Sequence, residues 1–248
     1  MRYIKRLREI CQKERQGCDT AHGKIICRRV SIYITWIFLK MKITPNIATL
    51  IFLLSIIPPC LYFGAGSRTS VFIGVIFLQV WYILDHVDGE IARYRNLSSL
   101  TGKYFDNIVH YIAHPLVFLC LGYGLVRRLN MPYIFLFASS AAVSTTLINI
   151  LQDLKKSVLF DANRSKGPSN KMESEQKNRL FARKIFSLLH KSCIFPNIMD
   201  GLTIAAILEI FLPFNFVLYL LVYFGILMPV VWVSKLAVII MKKELDFA

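Results

Sequence analysis

Asp85, Asp88, Asp106 and His110 are the residues of this 248-residue chain whose types and spacing could do chemistry. Asp85 and Asp88 close one long apolar stretch, in Leu84-Asp85-His86-Val87-Asp88-Gly89-Glu90-Ile91-Ala92-Arg93. Asp106 and His110 open the next, in Gly102-Lys103-Tyr104-Phe105-Asp106-Asn107-Ile108-Val109-His110. On a helix Asp85, Asp88 and Ala92 fall at i, i+3 and i+7, on one face, and Asp106 and His110 at i and i+4, also on one face. Three carboxylates converging on one place repel unless cations neutralise them. Hard oxygen donors favour magnesium or manganese, with calcium a less close fit. Gly89 and Ala92 leave room for a ligand to approach the backbone, and Arg93 can fork onto phosphate oxygens. The residue types read as a phosphate-and-metal pocket. A plainer reading has the carboxylates merely pairing with Arg93, Arg95 and Lys103 at a membrane boundary, but it leaves the Gly, Ala and Arg at helical spacing unexplained.

The elements that must position these residues are helices in lipid. Hydrophobic residues make up 55% of the chain and charged ones 18%. A bilayer core of roughly 30 Å needs about 20 apolar residues per helix. Such runs lie near Ile47–Phe63, Val71–Asp88, Phe105–Val126, Pro132–Leu151, Phe195–Leu212 and Phe214–Met241. The expected fold is therefore an all-α membrane protein, a six-transmembrane-helix bundle. Ionisable groups at membrane depth are costly and mark functional sites. The run from Val71 to Leu84 is about 21 Å of helix at about 1.5 Å per residue. Asp85 is then expected near the cytosolic edge of the hydrocarbon, or in a watery cavity just inside it.

The net charge of +15 follows topology. Of 30 Lys and Arg, 11 precede the first span and ten lie between spans four and five, whereas the intervening loops hold only Arg68, Arg127 and Arg128. Alternate loops rich and poor in positive charge place both termini in the cytosol. The surplus serves topology and anionic headgroups, so membrane lipids are expected partners and nucleic acid is not. Cys11, Cys18 and Cys27 have no zinc-pair spacing, and Cys60, Cys120 and Cys193 lie in or beside spans, so no disulfide framework is expected. The charged start, Met1–Arg15, does not read as a cleavable signal peptide.

Residues 1–42 read as a basic N-terminal segment, polar up to about residue 24. Its apolar run Val30–Leu39 is too short to span and suits an interfacial amphipathic helix. Residues 43–248 read as the membrane domain, with Thr44-Pro45-Asn46 starting its first helix. The polar stretch Gln152–Lys191 contains a loop at Asn163–Asn170 and a second interfacial helix candidate at Arg179–Lys191. The pentads Ile43-Thr44-Pro45-Asn46-Ile47 and Ile194-Phe195-Pro196-Asn197-Ile198 resemble each other, as two helix starts at the same membrane face would. Ser139, Ser140, Ser144, Thr145, Thr146 and Asn149 in span four fit helix contacts better than a transport path.

The run Asp85-x2-Asp88-Gly89-x2-Ala92-Arg93-x8-Gly102-x3-Asp106-x3-His110 resembles the signature of the CDP-alcohol phosphotransferase family, D-x2-D-G-x2-A-R-x8-G-x3-D-x3-D. The resemblance implies transfer of a phosphoalcohol from a CDP-alcohol to an alcohol or lipid acceptor, with release of CMP, in phospholipid or related headgroup synthesis. It implies that Asp85, Asp88 and Asp106 ligate Mg2+ or Mn2+, and that Gly89, Ala92, Arg93 and Gly102 line the CDP site. It also implies a homodimer, and a bacterial inner membrane with the active site facing the cytosol. The sequence departs from the signature at its last position, where His110 replaces Asp. A neutral imidazole, with an unperturbed pKa of about 6.5, can take a proton from the acceptor hydroxyl or ligate the metal. His114, one turn on, could support it or simply pack near Pro115. The competing readings are a non-catalytic relative and a transporter that binds an ion or substrate through the carboxylates.

Overall fold

A computed structural model describes residues 2–12, 27–165 and 192–241, with 159–165 described by backbone only. All regular structure among the described residues is helical: α1 (Arg2–Gln12), α2 (Arg28–Lys40), α3 (Pro45–Leu54), α4 (Ile57–Ala65), α5 (Arg68–Tyr94), α6 (Leu100–Leu129), α7 (Ile134–Ser165), α8 (Phe195–Phe211) and α9 (Phe216–Met241). Among the described residues five stretches are long and apolar enough to cross a membrane: Pro45–Ala65, Arg68–Tyr94, Leu100–Leu129, Ile134–Val158 and Phe216–Met241. The fifth expected run, Phe195–Leu212, forms helix α8, but with 17 residues, about 25 Å of helix, it is shorter than those five.

Local chemistry explains the boundaries. Thr44 caps α3, its hydroxyl accepting from the Ile47 amide, and Pro45 takes the first position, where a missing N–H costs nothing. Pro196 likewise sits in the first turn of α8, so both pentads are helix starts. The expected first span is broken at Ser55–Ile56, because Pro58 and Pro59 cannot donate to a continuing helix and instead occupy the first turn of α4. α7 corrects another expectation. It runs on to Ser165, so Lys155, Lys156 and Arg164 stand on a helix and not in a loop, as do Asn163 and Ser165 of the expected loop. No Gly or Pro interrupts the chain until Gly167. The Arg179–Lys191 candidate lies outside the described residues.

α4 packs on α5 and α6, α7 on α6 and α9, and α8 on α5 and α9. Their core contains Phe52, Phe63, Leu78, Trp81, Leu125, Ile134, Met199, Leu221 and Met228, all fully buried. Two crossings depend on glycine. A Cβ on Gly124 would run into the Phe63 carbonyl, and one on Gly225 would run into the backbone of Phe137. Ser140 then donates to the Gly225 carbonyl at 2.7 Å, a small-residue helix contact of the kind expected for span four.

At the end of the bundle remote from Asp85, one buried ion pair ties four elements together. Arg128 at the end of α6 donates both Nη groups to Glu209 of α8, at 3.0 and 3.2 Å. Glu209 is fully buried and also accepts from the Val217 amide of α9 at 3.1 Å. Arg68, opening α5, donates to the carbonyls of Glu209, Leu212 and Pro213. Removing one partner of a buried pair strands the other charge, at a cost of roughly 3–5 kcal/mol. Glu209→Ala is therefore expected to lower the thermal midpoint in detergent clearly, and an unchanged midpoint would show the pair to be dispensable.

The N-terminal segment folds onto this bundle. Leu7 and Cys11 of α1 and Ile32 of α2 are buried together, with Ile4, Trp36 and Leu39 packed around them. α1 is thus a docked helix. Burial, then the neighbouring Glu90 carboxylate, push the Cys11 thiol up to about 11, against a smaller opposing effect of Arg93. The reactive thiolate is accordingly scarce at neutral pH. Maleimide is expected to spare Cys11 in the native protein and to label it on unfolding. Rapid native labelling would mean that α1 is undocked.

Candidate active site

The α5–α6 turn builds the site. α5 ends at Tyr94, Asn96 takes a left-handed conformation (φ 54°), and Ser99 caps α6 by accepting from the Gly102 amide at 3.0 Å. The turn sends the chain back, so that side chains near the end of α5, Trp81 and Asp85, meet His110 of α6.

His110 Nε2 lies 3.2 Å from Asp85 Oδ1 and 3.5 Å from Asp106 Oδ1. One ligand atom from each of Asp85, Asp106 and His110 lies within 4.8 Å of the others. Asp106 Oδ1 is buried and has no hydrogen-bond partner. A buried carboxylate oxygen left unpaired is costly, and two carboxylates with one imidazole are a donor set that suits a divalent cation. The residues present fit a metal.

Asp88 stands outside that group of three. It is buried, and its carboxylate accepts from Thr49 Oγ1 of α3 at 2.8 Å and from the Gly89 amide. Helical spacing put Asp85 and Asp88 on one face, but α3 supplies a donor that the spacing could not reveal. Gly89, Ala92, Arg93 and Gly102 all line one cavity of about 440 Å³ with Arg28, Asp85, Asp88, Lys103, Asp106 and His110. The Arg93 guanidinium lies across Gly89, where a Cβ would stand 3.2 Å from Nη1.

His114 does more than pack near Pro115. Its Nε2 lies 3.3 Å from His110 Nδ1, its Nδ1 lies 3.1 Å from the Asn149 amide nitrogen, and its ring stacks on Phe195 with centroids 3.7 Å apart. Asn149 thus belongs to the site, unlike Ser139, Ser140 and Thr146 of α7, whose hydroxyls donate to backbone carbonyls.

Sequence reading passed over Glu90. Its carboxylate is 1% exposed and accepts from Gln12 Nε2 (2.7 Å), Ser31 Oγ (2.7 Å) and Thr35 Oγ1 (2.6 Å). Three donors from two other helices satisfy it, and it fastens α1 and α2 to the site helix. Its one sequence signal is a Glu inside the Asp run, with no hint of partners so distant.

A second cavity, of about 670 Å³, lies on the other side of His110. It shares Tyr82, Asp85 and His110 with the first, and adds Tyr111, His114, Asn149, Asp153, Lys155 and Lys235. Asp153 is engaged by Tyr111 Oη at 2.6 Å and by Lys156 Nζ at 2.9 Å. Lys235, in apolar α9, pairs with no carboxylate among the described residues.

No curated protein matches the chain. Among solved structures, the phosphatidylinositol phosphate synthase of Mycobacterium tuberculosis has a similar fold. Its CDP-DAG-bound form is 17% identical, with 84% of this chain and 92% of that one covered and a TM-score of 0.58. Its complex with manganese and citrate is 15% identical, with 84% and 88% covered and a TM-score of 0.56. These likenesses carry the fold. The family model of the CDP-alcohol phosphatidyltransferases matches residues 42–240, from just after α2 into the last turn of α9. An integral membrane protein with the signature run on α5 and α6, the chain belongs to the CDP-alcohol phosphatidyltransferase family, whose reaction moves a phosphoalcohol from a CDP-alcohol to an acceptor hydroxyl with release of CMP.

Proposed function

We propose that the cavity of about 440 Å³ takes the CDP-alcohol and the cavity of about 670 Å³ takes the acceptor, so that reaction occurs where they meet, at Asp85 and His110. The shared lining carries this reading. One cavity gathers the signature residues and the cations suited to a diphosphate; the other offers amide, hydroxyl and ammonium groups to an alcohol. Asp85 and Asp106, with His110 or Asp88, would hold Mg2+ or Mn2+. A bound cation would neutralise charge on the diphosphate and the departing CMP. Gly89, Ala92 and Gly102 leave space along the helix backbones, and Arg93 binds phosphate oxygens.

In the transfer the acceptor oxygen attacks the phosphorus next to the alcohol. An O–P bond forms, the bond to the CMP oxygen breaks, and CMP leaves with that electron pair. The hydroxyl proton passes to His110, which lines both cavities. His114, held by Asn149 and Phe195, fixes the ring that receives it.

Lys235, which pairs with no carboxylate among the described residues, favours an acceptor carrying a negative group. In the same reading α8 is also a span, the fifth of six, α2 lies along the interface ahead of the membrane domain, and the site faces the cytosol of a bacterial inner membrane.

A donor and acceptor panel on purified protein, scored by CMP release, tests this. Anionic alcohols are expected as the preferred acceptors, and Lys235→Leu is expected to raise their KM about tenfold or more, the scale of one charge-assisted hydrogen bond, while leaving the donor's KM unchanged. Metal-independent ion flux with no CMP release would favour a transporter instead.

A further inference from the structure

We infer that the C-terminal end of α1 is a working part of the donor site: its last two carbonyls position the two guanidinium groups that line the donor cavity. The inference rests on assigning that cavity to the CDP-alcohol. At the end of a helix the final carbonyls have no intrahelical partner and carry the negative end of the helix dipole. Here the Cys11 carbonyl accepts from Arg93 Nε at 2.6 Å, and the Gln12 carbonyl accepts from Arg28 Nη1 at 2.9 Å. Both arginines line the cavity, together with Gly89 and Lys103.

A guanidinium is planar, so gripping Arg93 at Nε sets the plane in which its two Nη groups lie. That plane is already laid across Gly89, next to Asp88. An arginine held in this way loses less rotamer freedom when phosphate arrives than a loose one does, which is how preorganisation raises affinity. The grip is itself secured. Gln12 Nε2 donates both to the Arg28 carbonyl at 2.9 Å and to buried Glu90 at 2.7 Å, and Glu90 is tied in turn to Ser31 and Thr35 of α2. Leu7 and Cys11 bury the apolar side of α1 against Ile32. α1 lies before the family-matched segment, which begins at residue 42, so this device belongs to the N-terminal segment of this chain.

Two substitutions outside the donor cavity undo the grip by different routes. Glu9→Pro breaks the last turn of α1, because proline removes a backbone donor and clashes with the preceding turn. Leu7→Asp puts a charge where α1 is buried. Binding of CDP, and of cytidine as a phosphate-free control, is measured to the full-length protein with manganese present. Both variants are expected to bind CDP about tenfold more weakly, the scale of one charge-assisted hydrogen bond, and to bind cytidine as the parent does. Unchanged CDP affinity in both variants overturns the inference. So does an equal loss for CDP and cytidine, which would mean that α1 supports the pocket as a whole. A parent that fails to bind CDP overturns the donor-site assignment beneath it instead.

Discussion

Stripping divalent cations with a chelator is expected to abolish CMP release, and Asp106→Asn is expected to do the same while the helices stay folded. Asp106 Oδ1 is buried without a hydrogen-bond partner, and Asp85 Oδ1 and Asp106 Oδ1 both approach His110 Nε2, at 3.2 and 3.5 Å. Such an arrangement is costly without a cation and satisfied with one. Charge stabilisation by a bound metal is worth several kcal/mol, so the loss should reach about 10³-fold or more. Adding back manganese or magnesium should restore the parent and leave Asp106→Asn inactive. Full turnover in excess chelator would remove the metal from the mechanism, and circular dichroism of the variant separates lost chemistry from lost fold.

The second large effect is expected at His110. His110→Ala should lose about 10²–10⁴-fold in rate, the usual contribution of a general base. His110→Asp, which restores the residue of the family signature, should retain activity. A carboxylate ionises at lower pH than an imidazole, so the acidic limb of the rate profile should move to lower pH in that variant. The parent should lose activity as its ring becomes protonated, since imidazolium accepts no proton. These measurements belong at saturating metal, because either substitution can alter metal occupancy. The structure adds a contact to the case: His114 Nε2 at 3.3 Å orients the ring from behind while Nε2 of His110 faces the carboxylates. An alanine variant as fast as the parent would assign proton transfer to another group. A parent inert with every donor, beside an active His110→Asp, would mark a degenerate relative that kept its nucleotide pocket.

By itself the sequence determined the things that depend on order along one helix. Apolar run lengths predicted α5 to α9, and Thr44-Pro45 and Ile194-Phe195-Pro196 marked two starts, because capping and proline chemistry act within a few residues. The signature run was legible for the same reason: Asp85, Ala92, Asp106 and His110 follow helical spacing on two helices joined by a short turn.

Contacts between helices were decided only by tertiary structure. Spacing aligned Asp85 with Asp88, yet Thr49, distant in sequence, draws the Asp88 carboxylate toward α3. Glu90 was silent in the sequence because its donors, Gln12, Ser31 and Thr35, reach it only once α1 and α2 dock on α5. The second cavity also had no local signal, since Lys235 joins Asp85 and His110 only once α9 has packed on α7 and α8. Periodicity tells which residues share a face of one helix. Which neighbour that face meets, and at what rotation, is settled by packing among residues far apart in the chain.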